Sequence, residues 1–381
     1  MLSTTYEYFA EKVGAGEPVI FLPAGGFSGN EGLNIAEYLQ VDFETHMIDL
    51  PGIGRSSGIS GKVTSIVLAD WVKEYMDRRE MKNAVVIGHS LGGAVALSFA
   101  RHYPERVRTL ILLDQGHKPF PKVPTSEFGI FAYAFPFLNV GVRLFGEHLL
   151  KRLATFFKGS GEGDFDRQVT NFCEHVNIEE TRYVRTALRS QTDFSARGLN
   201  LMFGYYNLDI PGLLNNITVP THVYYATFAD LDDRERRKTE HHLKKLRNRS
   251  FPVTWHAVEG GHFVHWNENF SLEDIKQNAM FRRGEGGGNN VSGLTILSII
   301  MTAALIVSIL ITVSKRRKKG AGGIKSALTS ICFYLITVTN LVAYWFGLMG
   351  IVSWVLTVLL LLTGAYFTKY LPEGKEYDYG R

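Results

Sequence analysis

The strongest chemical signal in the chain is a serine. Ser90 lies in Gly88-His89-Ser90-Leu91-Gly92, directly after the apolar run Ala84–Ile87 and directly before the helical pattern Leu91–His102. A G-x-S-x-G run in a strand–turn–helix context turns sharply enough to lift the hydroxyl above the end of the strand. The helix that begins at Leu91 points its free N–H groups to where negative charge develops in acyl transfer. A serine hydroxyl is a weak nucleophile near neutral pH and requires a base. Of the 12 histidines, His262 in Glu259-Gly-Gly-His262-Phe-Val-His265-Trp fits best, on a glycine-rich loop just past the last apolar run. His265 on the same segment is its competitor. His89 is expected to support the turn, and His241 and His242 belong to a strongly charged surface segment.

The base in turn needs a carboxylate to hold its tautomer. With chain order Ser, acid, His, the acid follows the next-to-last strand, Thr221–Ala226, and Asp230 is closest to that strand's end. Asp232 and Asp233 follow it, and Asp114, which ends the strand after the serine turn, is the remaining candidate. The oxyanion requires two N–H groups. Leu91 supplies one, and Gly25, with Gly26 next, supplies the other from the loop Leu22-Pro23-Ala24-Gly25-Gly26-Phe27.

Short apolar runs at Pro18–Leu22, Phe43–Leu50, Ala84–Ile87, Val107–Leu113, Thr221–Ala226 and Val253–Val258 suit strands buried on both faces, and Tyr6–Lys12 suits a half-buried one. Helical patterns at Gly32–Leu39, Thr64–Arg79 and Leu91–His102 alternate with them, which predicts a mostly parallel sheet with helices on both faces. The alternation stops between Gly116 and Asn216, where aromatic-rich helical patterns suggest a lid inserted in the sheet domain. Its Phe128, Phe131, Tyr133, Phe135 and Phe137 are expected mostly in the lid's core, some of them also lining an acyl pocket. Ser271 and Asp274 have capping-box spacing and start the last helix of the domain.

On these residues the chain resembles the α/β-hydrolase superfamily in its lid-bearing esterase and lipase branch. The resemblance covers roughly residues 3–283 and includes Asp49-Leu-Pro-Gly52-Ile-Gly54-Arg-Ser56, similar to the D-x-x-G-x-G-x-S turn of such proteins. Pro23-Ala24 replaces the usual His-Gly of the oxyanion loop, and Ala226 stands where a glycine is common before the acid. The resemblance implies a serine hydrolase that cleaves a carboxylic ester, lipophilic if the aromatic lid is a guide, through an acyl-enzyme on Ser90. Other acyl chemistry on the same residues (amide or thioester hydrolysis, acyl transfer, cofactor-free haloperoxidase chemistry) and a non-catalytic binding module are the alternatives. Dehalogenase and epoxide hydrolase relatives attack with a carboxylate where this chain has Ser90.

The expected organisation is a core of 1–115 and 217–283, a helical lid over 116–216 and a linker over 284–290. Beyond it, 291–314, 326–346 and 350–368 are uncharged stretches of a length to cross a bilayer as helices. The basic run Lys315–Lys319 between the first two favours the cytoplasm. Three crossings would then put the hydrolase part outside. Met1 to Gly16 has no apolar signal region and the two cysteines, Cys173 and Cys332, do not suggest a disulfide, which favours a cytoplasmic hydrolase part instead. The net charge of +4 is smaller than that one basic run, so no nucleic-acid partner is inferred. The basic segment Asp232–Arg249 reads as a solvated helix face. No zinc-type Cys/His spacing, P-loop or dinucleotide fingerprint is present, so no cofactor or metal is expected.

Overall fold

The computed structural model describes residues 6–119, 131–155, 164–191, 195–247, 252–280, 324–345 and 351–368, with a few positions between 305 and 314. Seven strands form one sheet: β1 (Ala10–Gly14), β2 (Glu17–Leu22), β3 (Phe43–Ile48), β4 (Ala84–His89), β5 (Val107–Leu113), β6 (Thr221–Ala226) and β7 (Val253–Val258). Their order is β1-β3-β2-β4-β5-β6-β7, with β1 antiparallel to β3 and every other pair parallel. The first strand starts later than the sequence pattern suggests, because Tyr6 and Tyr8 pack against the α2 side of the sheet instead of joining the ladder.

Successive strand residues point to opposite faces, and the two faces have separate cores. Ile20, Leu22, Val86, Leu110 and Leu112 join one, with Trp71, Val72 and Phe99 from the helices α2 and α3. Val19, Phe21, Val85, Ile87, Ile111 and Leu113 join the other, with Ile35, Leu39 and Ile275 from helices α1 and α11. Here α1 is Leu33–Leu39, α2 is Ser65–Arg78 and α3 is Ser90–His102. Among the described residues six helices lie between β5 and β6: α4 (Phe131–Phe145), α5 (Glu147–Ala154), α6 (Phe165–Val176), α7 (Arg182–Arg189), α8 (Ala196–Tyr206) and α9 (Ile210–Asn215). Then come α10 (Asp233–Arg247) and α11 (Leu272–Met280), the latter capped by Ser271 Oγ, which accepts from the Asp274 N–H at 3.1 Å.

The chain forms two compact units, Met1–Gly286 and Gly287–Arg381. In the second, α12 (Ile324–Trp345) and α13 (Ile351–Phe367) pack together, and Gly364 leaves room for the Cβ of Cys332. Among the described residues no helix is long and apolar enough to cross a membrane. The expectation of three bilayer crossings is therefore not carried by the structure. At 17 residues α13 rises only about 25 Å, against a hydrocarbon core of roughly 30 Å. Helix α12 has 22 residues, with Thr337, Thr339 and Asn340 interleaved among its apolar ones. Most of 291–314 lies outside the described residues.

Candidate active site

The parallel register brings the chemistry to one edge. Leu22 pairs with Gly88 and His89 with Leu113, so Pro23, Ser90 and Asp114 stand one step beyond the carboxyl ends of three adjacent strands. Ser90 is half-buried with a left-handed φ of 50°, as the sharp turn demands. The turn closes only because its last position is glycine: a Cβ on Gly92 would lie 2.2 Å from the Leu22 carbonyl oxygen. The N–H of Gly92 instead donates to the Pro23 carbonyl at 3.0 Å, which sews the elbow to the oxyanion loop.

That loop is a turn in which the Phe27 N–H donates to the Ala24 carbonyl at 3.3 Å, with Gly26 at φ 88° in the position that favours glycine. The Ala24 N–H is committed to Glu31 Oε2. The N–H groups of Gly25 and Leu91, the pair expected from the sequence, have no hydrogen-bond partner among the described residues.

His262 lies on the loop after β7, and its Nδ1–H donates to Asp114 Oδ2 at 2.6 Å. This corrects the choice of Asp230. Asp230 is exposed on a turn beyond β6, where both Phe228 and Asp230 have positive φ. Asp114 is almost fully buried, and its Oδ1 accepts from the Ala226 N–H at 3.0 Å. Chain order alone places the acid after β6. In space, the histidine loop folds back across β6 and meets the carboxylate at the end of β5. Asp232 is occupied as well, its Oδ1 accepting from the N–H groups of Arg234 and Glu235 at the start of α10.

Burial pushes the Asp114 carboxyl upward, but Lys118, His262 and His117 outweigh it and hold the group well below the usual carboxylate range. Lys118 Nζ stands 4.0 Å from Asp114 and 3.8 Å from Glu235. His117, buried beside Asp114 at 3.6 Å, is pushed down to about 3 by burial first and by Lys118 next.

Two supporting residues, Gln115 and Glu31, escaped the sequence reading. Gln115 donates from Nε2 to the Ser90 carbonyl at 2.7 Å and to the Tyr205 hydroxyl at 2.6 Å, joining the elbow to α8. Glu31 is fully buried and accepts from His89 Nδ1 at 2.5 Å. His89, expected to support the turn, also donates from Nε2 to the His262 carbonyl at 3.0 Å. His265, the competing base, is buried near Glu31 and pushed well below its ordinary value, chiefly by burial. Glu31, His89 and His265 bring ligand-type atoms within 4.8 Å of one another. The 2.5 Å contact of Glu31 with His89 is a hydrogen-bond distance, whereas ligands of a tetrahedral zinc stand roughly 3.4 Å apart, so the trio does not fit a metal.

An aromatic wall flanks the histidine. Phe263 stacks on Trp266 at 5.1 Å and meets Phe27 of the oxyanion loop at 5.6 Å and Phe172 of α6 at 5.3 Å. Of the aromatics expected in the insertion, Phe135 is buried on Phe203, and Phe137 is 80% exposed. Phe128 and the side chains of Phe131 and Tyr133 lie outside the described residues.

A strained serine elbow, a histidine–carboxylate pair and a glycine loop at the carboxyl edge of a parallel sheet define a class. The chain belongs to the α/β-hydrolase-fold family, whose sequence profile matches residues 17–269. It is 34% identical over 110 residues to the 2-hydroxy-6-oxo-6-phenylhexa-2,4-dienoate hydrolase of Comamonas testosteroni, a match spanning 28% of this chain and 38% of that one. With the 1-acylglycerol-3-phosphate O-acyltransferase ABHD5 of Mus musculus it shares 25% identity over 279 residues, 68% of this chain and 75% of that one. A thermophilic esterase from Thermogutta terrifontis has a similar fold, with a TM-score of 0.50 at 20% identity over 73% of this chain and 93% of that one.

Proposed function

We propose that this protein is a serine hydrolase that cleaves a carboxylic ester through an acyl-enzyme on Ser90. The 2.6 Å pair of His262 with Asp114, at the end of the strand next to the one that leads into the strained Ser90, is the observation that carries the reading. His262 takes the proton of the Ser90 hydroxyl as the oxygen attacks the ester carbonyl, then returns it to the leaving alcohol. Asp114 fixes the ring with Nδ1 protonated and stabilises the imidazolium. The N–H groups of Gly25 and Leu91 receive the oxyanion. Water, activated by the same histidine, then releases the acid.

The aromatic wall of Phe27, Phe172, Phe263 and Trp266 favours an apolar acyl group. The helical insertion acts as the lid over it. An apolar row on α4, Phe137, Val140, Leu144 and Phe145, and exposed leucines of the second unit such as Leu359 and Leu362 favour a protein that works against a lipid bilayer. Transfer of the acyl group to an alcohol in place of water is the second reading, favoured by the likeness to an O-acyltransferase over 68% of this chain.

A fluorophosphonate probe should label the wild type and not Ser90→Ala, and only the wild type should turn over p-nitrophenyl esters. Equal labelling of the two proteins ends the assignment of Ser90. Adding glycerol to the assay separates hydrolysis, which yields free acid, from transfer, which yields a glyceryl ester.

A further inference from the structure

Glu31 lies far from Ser90 in sequence, bonds directly to two pieces of the site and reaches a third through His89. Its Oε2 accepts from the Ala24 N–H at 2.5 Å, next to the Gly25 donor. Its Oε1 meets His89 Nδ1 at 2.5 Å, beside Ser90. Through His89 Nε2, 3.0 Å from the His262 carbonyl, it reaches the loop of the base. Asn34, three residues on, donates from Nδ2 to the His265 carbonyl at 2.6 Å and holds the other end of that loop.

The hydrogen-bond inventory fixes the protonation of this network. A carbonyl oxygen only accepts, so His89 Nε2 carries a proton. The contact between Glu31 and Nδ1 needs a second, whether it rests on the imidazole or on the carboxyl. The pair therefore holds one proton more than a neutral histidine beside a carboxylate, and both side chains are fully buried. Bonds of this kind are strong and directional in a low-dielectric interior. His265, kept neutral by burial, does not compete for that proton.

We infer that Glu31 is a positioning residue, whose proton-sharing bond to His89 sets the oxyanion loop and the His262 loop against the Ser90 elbow. The inference rests on the serine-hydrolase reading. Glu31→Ala breaks both links, while Glu31→Gln keeps them: the amide oxygen accepts from Ala24, and the amide nitrogen donates to a bare Nδ1 while Nε2–H stays in place. His89→Phe keeps the ring and removes the bonds.

The test uses the full chain, with kcat and KM for p-nitrophenyl butyrate measured beside Ser90→Ala. Glu31→Ala and His89→Phe should lose kcat by about 100-fold with KM changed less than about threefold, because a misplacement of about 1 Å at the reacting groups costs that much. Glu31→Gln should recover to within about tenfold of the wild type. The wild type should also show a far-downfield proton resonance that Glu31→Gln abolishes and Asp114→Asn leaves in place. A kcat for Glu31→Ala within threefold of wild type, or a loss in Glu31→Gln equal to that in Glu31→Ala, overturns the inference. Should both disruptive variants fail to fold, the resonance decides, since its absence from the wild type or its persistence in Glu31→Gln is equally fatal. Turnover by Ser90→Ala equal to wild type sinks the serine reading instead, and the resonance still judges the Glu31–His89 proton.

Discussion

Asp114 carries the sharpest consequence at the scale of single residues. Asp114→Asn leaves an acceptor for the Ala226 N–H but favours the wrong His262 tautomer, so kcat should fall by about 10⁴-fold, as in other triads. Asp230→Asn should stay within about twofold of wild type, as exposed substitutions generally do. Ester turnover by the two variants side by side checks the exchange of roles, and the reverse pattern restores Asp230. His117 gives a stability prediction. Its folded-state value near 3 lies below the unfolded value near 6.5, so acid protonates the unfolded chain first. Above about pH 6.5 the two states do not differ, and stability is lost progressively as pH falls from there toward 3, by about 1.4 kcal/mol per pH unit. Urea unfolding at pH 7 and pH 5 should show this loss, and His117→Phe should reduce it by about 2 kcal/mol. An unchanged difference in the variant would assign the acid sensitivity to other groups.

At the scale of elements, the strands and the elbow were legible because local pattern and global position agree. The run Ala84–Ile87 followed by a glycine-flanked serine allows one arrangement, and the helix Leu91–His102 confirms its direction. The acid was not legible in the same way. Its choice depends on which strand end the His262 loop reaches, and loop reach is not written in spacing. The Ala226 N–H that serves the Asp114 carboxylate gave no clue either, since it is a backbone donor that any residue but proline offers. Glu31 was hidden for a similar reason, since only folding carries a 3-10 turn at Gly29–Gly32 under His89. Gly92 tests the junction of elbow and oxyanion loop. Gly92→Ala would drive a methyl group into the Leu22 and Pro23 carbonyls, so a loss of about 1–3 kcal/mol is expected. Displacing Gly25 should also cut kcat by about 100-fold. Thermal melts with kinetics measure both, and a stable, fully active variant would mean that the loop position is not critical.

The whole molecule consists of an α/β-hydrolase-fold unit and a second unit with the apolar helices α12 and α13, and the lipid reading belongs to this scale. The full chain should float with phosphatidylcholine vesicles on a sucrose gradient, whereas a chain ending at Gly286 should remain mostly at the bottom while still turning over p-nitrophenyl acetate. If the full chain also stays at the bottom, the exposed Leu359 and Leu362 face another protein. The tail's apolar character is legible in its uncharged stretches, whereas the bounds of its helices emerged only from the structure.

The carboxylate of Asp114 spans two tasks, since one oxygen holds the His262 ring and the other fastens the end of β6. Active-site groups in many enzymes are held at the expense of the fold, so deleting them makes the protein sturdier and evolution can trade one property for the other. On the proposed function Asp114→Ala offers no such exchange, because it would loosen the sheet edge as it silences the base. Drift at this position is therefore opposed twice over, and a lineage that abandoned catalysis would still have reason to keep the aspartate.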